Sequence, residues 1–160
     1  MTASLIYPDW PAPDCVKAVS TTRIGGFSVP PFDSFNLATH VEDDTEVVKK
    51  NRDYLIQIAQ LPEQARWLDQ VHSNKVITSN EWQVGTQADA IVSTVPNHVC
   101  SIMTADCLPI LFCNKLGTSV AAIHAGWRGL ASGIIEETLL RFPDDPSNII
   151  AWLGPAIGPE

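Results

Sequence analysis

Between residues 44 and 60 the apolar positions fall at helical spacing. Val47, Val48, Tyr54, Leu55 and Ile58, joined by Asn51, share one face, which predicts a helix with that stripe turned inward. Asp43 and Asp44 stand where a carboxylate caps the free N–H groups of a first turn. Leu61-Pro62 ends the element, and Pro62 suits the first turn of a short second helix through Arg66. The pattern then shortens to runs rich in β-branched and aromatic residues. Residues 67–72, 76–78, 90–95, 99–104, 110–112 and 120–124 predict strands. Leu130, Ile134, Ile135, Leu139 and Leu140 predict one helix over 130–142, and 148–153 predict a last strand. Residues 21–37 have no period. Gly25-Gly26 and Pro30-Pro31 break them into a long loop, of a kind that often carries function. Several strands follow one another without helices between them, so the expected class is α+β: mixed sheets flanked by helices.

Composition narrows the function classes. The chain has 160 residues, 18 of them acidic against 10 basic, for a formal charge of −8. That balance opposes non-specific nucleic-acid binding, which needs a basic footprint, and opposes docking on an anionic membrane. No run approaches the roughly 20 apolar residues of a membrane span. The N-terminal segment has neither the basic nor the apolar region of a signal peptide, so a cytoplasmic location is expected. The four cysteines lack a secretory context, and Cys15, Cys100 and Cys113 are expected to be buried apolar thiols.

His72, Cys107 and His124 stand apart. Each lies at or near the end of a predicted strand, among small or polar neighbours. Two imidazoles and one thiolate are the donor set of an open zinc site whose fourth position is left for water or substrate. The spacing alone is not specific, and the same residues suit a cysteine hydrolase with Cys107 as nucleophile and a histidine as base. Gly126-Trp127-Arg128-Gly129 reads either as an anion-binding turn with Arg128 as a fork, or as a glycine turn with a surface arginine. Arg23, ahead of Gly25-Gly26, poses the same choice. Asp89 is a cap or turn residue, or faces the site.

The motifs Ser20–Gly26, Asn36-Leu37, Asn51-Arg52, Gln70-Val71-His72, Ala88-Asp89-Ala90, Thr104–Pro109, His124–Gly129 and Gly154–Gly158 resemble, in order, those of the YfiH family, also called the polyphenol oxidase or laccase-domain family. The resemblance covers the whole chain. It implies a single domain over residues 1–160, a YfiH-like sandwich lacking the C-terminal third usual in the family. It implies a metal, zinc or else copper, on His72, Cys107 and His124. It also implies purine nucleoside phosphorolysis of adenosine, inosine and methylthioadenosine, with deamination of adenosine. Phosphate and the nucleoside would then be the partners, with Arg128, Arg23 and Asp89 as candidate contacts. A multicopper laccase centre takes several imidazoles per metal, and four isolated histidines do not build one. Copper-dependent polyphenol oxidation would therefore rest on a single ion at the same site. Two further readings stay open: amide hydrolysis of a cell-wall precursor through Cys107, and a metal-binding module without catalysis.

Overall fold

The computed structural model describes residues 3–158. Met1 and Thr2 of the N-terminal segment, and Pro159 and Glu160 after the last motif, lie outside them. The chain forms two compact units, one from residues 3–8 and 18–64, the other from 9–17 and 65–158.

In the first unit β1 (Leu5–Ile6) and β2 (Ser20–Thr21) pair antiparallel, and α1 spans Thr45–Ile58. The cap is Asp44, whose carboxylate accepts from the N–H groups of Glu46 and Val47. Val48 and Leu55 are buried on the inward face. Asn51, also on that face and fully buried, is a polar hub. Its carbonyl oxygen accepts from Phe27 N–H at 2.9 Å, and its amide donates to Ser28 Oγ at 2.9 Å and to the Asn36 carbonyl at 2.8 Å. One side chain thus organises the irregular 21–37 loop, which has no ladder of its own.

The second unit is built on a five-stranded mixed sheet of order β3-β4-β6-β5-β7. Its strands are β3 (Val76–Thr78), β4 (Ala90–Ser93), β5 (Leu108–Asn114), β6 (Val120–Ala125) and β7 (Ile149–Leu153). Only β3 and β4 run parallel; the other neighbours are antiparallel. Alternation along the strands sends Ala90, Val92, Ile110, Phe112, Ala121 and Ile123 to one face, against Ile134 and Phe142. Ile77, Ile91 and Ala122 point to the other face, where Leu68, Trp82, Cys100 and Ile102 cover them. Both faces are dry, which is why these strands read as nearly continuous apolar runs.

Four predicted elements come out differently. Residues 67–72 and 99–104 are not strands; they meet the rest through single bridges, Arg66 with Cys100 and Asp69 with Gln87. Side chains take over their backbone groups: Trp82 Nε1 donates to the Trp67 carbonyl at 2.8 Å, and the Gln70 carboxamide serves Met103. The short helix after Pro62 is absent because the Arg66 N–H goes across the chain to the Val99 carbonyl at 2.9 Å. The predicted 130–142 helix is two, α2 (Trp127–Ala131) and α3 (Ile134–Arg141). Gly133, at φ 87°, holds the left-handed conformation that separates them. Consequently Leu140, expected inside, is 79% exposed. Cys15 is likewise exposed rather than buried, whereas Cys113 is buried. Cys15 lies in the turn that the Val16 N–H closes on the Pro13 carbonyl at 2.9 Å, and its thiol faces the Gly117 carbonyl at 3.8 Å.

Among the described residues no helix is long and apolar enough to cross a membrane.

Candidate metal centre

Sheet register brings the site together. β3 and β4 start at the same end of the sheet, where Val76 pairs with Ala90. β6 runs against β4 and ends there, and β5 runs against β6 and begins there, with Pro109 opposite His124 and Leu108 opposite Ala125. His124 is therefore near the end of β6, while Cys107 stands immediately before β5. The sequence places Cys107 at the close of a strand; it precedes one instead, and the antiparallel pairing is what delivers it to His124. His72 arrives from the loop that leads into β3.

The donor atoms of His72, Cys107 and His124 all lie within 4.8 Å of one another. Among the described residues this is the one group of three such side chains close enough to hold an ion. The rings of His72 and His124 meet edge to face with centroids 4.8 Å apart. His124 is 4% exposed, whereas His72 opens to solvent. Gly126 closes the other side. A Cβ on it would sit 2.9 Å from Cys107 Sγ and 3.2 Å from His72 Cδ2.

Asp89 organises two of the three ligands. It is fully buried, just ahead of β4. One carboxylate oxygen accepts from His124 Nδ1 at 2.8 Å and from the His72 N–H at 3.0 Å. The other accepts from the Ser73 N–H and hydroxyl, each at 2.7 Å, and from the Val71 N–H at 3.3 Å. Successive N–H groups can face one carboxylate in this way because His72 adopts φ 58°, the left-handed step of an anion-binding nest. Burial by itself would push the Asp89 carboxyl up; the hydrogen bonds from His124, Ser73 and Val71 outweigh it and bring the pKa down to about 2. A carboxylate in this state fixes the His124 ring and leaves Nε2 as its free donor, the arrangement found behind metal-ligating histidines.

The other candidate residues lie outside this cluster. Arg128 is exposed in α2, with its guanidinium 5.2 Å from the centroid of the Trp127 ring. Arg23 belongs to the first unit and spends Nε and Nη2 on the Asp33 carbonyl, at 2.9 and 2.7 Å. Two residues escaped the sequence reading. Trp127 is 72% exposed and directly follows Gly126, and its indole carries the Arg128 guanidinium. Gln70 ties two loops together. An exposed tryptophan beside a glycine turn was a signal available in the sequence; the Gln70 contact, made across 33 residues, was not.

Relatives share this framework. Residues 17–160 match the family model described as multi-copper polyphenol oxidoreductase laccase. A protein of Escherichia coli K12 named purine nucleoside phosphorylase YfiH is 53% identical over 99% of this chain, and the match covers 65% of that protein. A Pseudomonas aeruginosa protein named a purine nucleoside phosphorylase is 53% identical, with 97% and 63% covered. The chain thus spans a little under two thirds of the length of these relatives. In the crystal structure of a Neisseria meningitidis protein, 47% identical, 96% of this chain and 63% of that one superpose with a TM-score of 0.90. With matching sequence across nearly its whole length and a matching fold, the chain belongs to the YfiH, or laccase-domain, family.

Proposed function

We propose that the chain carries the metal centre of a purine nucleoside phosphorylase that also deaminates adenosine. The observation that carries this reading is the convergence of His72, Cys107 and His124 within 4.8 Å, with Asp89 holding His124 by Nδ1. Two nitrogens and a sulfur in one mouth, one ring backed by a buried carboxylate, fit a borderline-soft divalent ion such as zinc. The names of the relatives from Escherichia coli and Pseudomonas aeruginosa supply the substrate class. When bound, such an ion supplies Lewis acidity, polarising an atom brought to it and making nearby water more acidic.

The protein's own groups have separable tasks. Asp89 is saturated with donors and fully buried, so it acts through His124 and the His72 loop, not as an acid toward substrate. Trp127 offers a flat apolar face for a purine ring. Arg128, beside it, offers the fork for phosphate. In phosphorolysis a phosphate oxygen attacks the ribose C1′, the bond from C1′ to the purine nitrogen breaks, and the base leaves with its electron pair and takes up a proton. In deamination water adds at C6 and ammonia leaves.

A second reading keeps Cys107 as a nucleophile, because Asp89 orients His124 as a third group orients a catalytic base. Incubating the metal-loaded chain with adenosine, with and without phosphate, separates the two. Adenine and ribose 1-phosphate formed only with phosphate, together with inosine, support the nucleoside reading. Amide hydrolysis that survives a chelator and is abolished by thiol alkylation supports the other. Tight metal binding without turnover of any nucleoside marks a binding module.

A further inference from the structure

We infer that Gln70 is a positioning residue for the metal centre, setting the distance between the loop that carries His72 and the loop that carries Cys107. The inference rests on the metal reading above and extends it to a side chain that touches none of the three ligands.

Two segments run side by side over the second face of the sheet. They begin in register: the Arg66 N–H donates to the Val99 carbonyl at 2.9 Å, and Ser101 Oγ donates to the Arg66 carbonyl at 2.9 Å. Arg66 and Cys100 form a single parallel bridge, and no ladder continues from it. Beyond that bridge a side chain substitutes for the ladder. Gln70 Nε2 donates to the Met103 carbonyl at 2.7 Å, and the Met103 N–H donates to Gln70 Oε1 at 2.6 Å. A primary carboxamide presents a donor and an acceptor side by side, as a peptide group does, so one side chain takes both backbone groups of Met103.

The position of this clamp gives it its consequence. His72 follows Gln70 by two residues and Cys107 follows Met103 by four. His72 is anchored from the other side by the Asp89 nest, and Cys107 is anchored by the start of β5 and by the Ile157 N–H, which donates to the Asp106 carbonyl at 3.0 Å. Those ties fix each ligand to the sheet. The Gln70 clamp ties one loop to the other on the ligand side of the Ser101–Arg66 bond, and without it the backbone of Met103 loses both hydrogen bonds to the segment that carries His72. A metal site tolerates little drift between donors, and supporting contacts outside the ligand set typically change affinity by about 10–100-fold.

Cobalt(II) is the probe, because a Cys–cobalt bond gives a near-ultraviolet charge-transfer band that reports the thiolate directly. The chain is titrated as wild type, Gln70→Leu, Gln70→Glu and Phe142→Leu, and each protein is also melted. Phe142 is buried far along the other face, so its variant gauges what lost stability alone does. The expected result is a roughly tenfold or larger rise in the cobalt Kd of Gln70→Leu with a weakened or shifted band. Gln70→Glu, which keeps the acceptor for Met103 N–H and loses the donor, falls between. Phe142→Leu keeps the wild-type Kd and band at a lowered Tm. If both Gln70 variants bind cobalt(II) as wild type does, the inference is overturned and the metal reading stands. If wild type itself shows no thiolate band, the metal reading fails and takes the inference with it. If Gln70→Leu does not fold, Gln70→Glu decides between the same outcomes.

Discussion

The Asp89 carboxylate and His124 Nδ1 stand 2.8 Å apart, both side chains out of solvent. The same carboxylate holds the backbone of residues 71–73. Replacing Asp89 by alanine therefore strips a buried ring of its partner and leaves three N–H groups facing a void. The expected cost is about 3 kcal/mol of stability and a loss of metal affinity of roughly 10–100-fold, read by denaturant unfolding and by competition with a chelator. Asp89→Asn does little better, because its NH₂ faces donors.

Gly126 supplies a purely steric test. Its φ of −68° suits any residue, but a Cβ would stand 2.9 Å from Cys107 Sγ. Gly126→Ala should keep its helix and its far-ultraviolet circular dichroism while metal affinity drops at least about tenfold. Unchanged affinity would mean that Cys107 is free to swing, and so is not a preformed ligand.

The free thiols should behave differently from one another. Burial pushes Cys100 up to about 12, against a smaller lowering by Arg66, and burial also raises Cys113. At pH 8 iodoacetamide should label Cys15 and leave Cys100 and Cys113 unmodified, as peptide mass mapping would show. The linkage has a definite sign. Above the ordinary thiol pKa of 9.0 the unfolded chain releases the Cys100 proton while the folded chain keeps it until about 12. Stability is therefore lost as pH rises through that window. Cys100→Ala should flatten the fall in Tm between pH 9 and 11; a slope identical to wild type would contradict the burial of that thiol.

Asn51 is the corresponding test in the first unit. Asn51→Leu keeps the volume but orphans the Phe27 N–H and the Asn36 carbonyl. The expected loss is about 2–3 kcal/mol, with protease cleavage appearing within 21–37.

Much of this was legible in the sequence, for identifiable reasons. The capping Asp44, the stripe of Val48, Asn51 and Leu55, and the apolar runs at 76–78, 90–95 and 120–124 are local signals, and the elements they predict are present. His72, Cys107 and His124 could be singled out by residue type and neighbours. Their convergence could not, because it arises from the β5–β6 register and from a nest at His72 whose anion is 17 residues away. Residues 67–72 and 99–104 misled because they are apolar enough for strands; the backbone groups of Trp67 and Met103 pair instead with the side chains of Trp82 and Gln70. The helix predicted over 130–142 breaks in two at Gly133, where only the left-handed φ shows that the chain turns.

The most direct measurement is zinc K-edge absorption on the chain purified with zinc, with metal content determined on the same sample. A three-ligand centre predicts close to one zinc per chain, with one sulfur neighbour at about 2.3 Å and two imidazole nitrogens at about 2.0 Å, and loss of the sulfur in Cys107→Ser. Zinc well below stoichiometry, or a spectrum of oxygen and nitrogen neighbours without sulfur, would contradict a centre built on His72, Cys107 and His124.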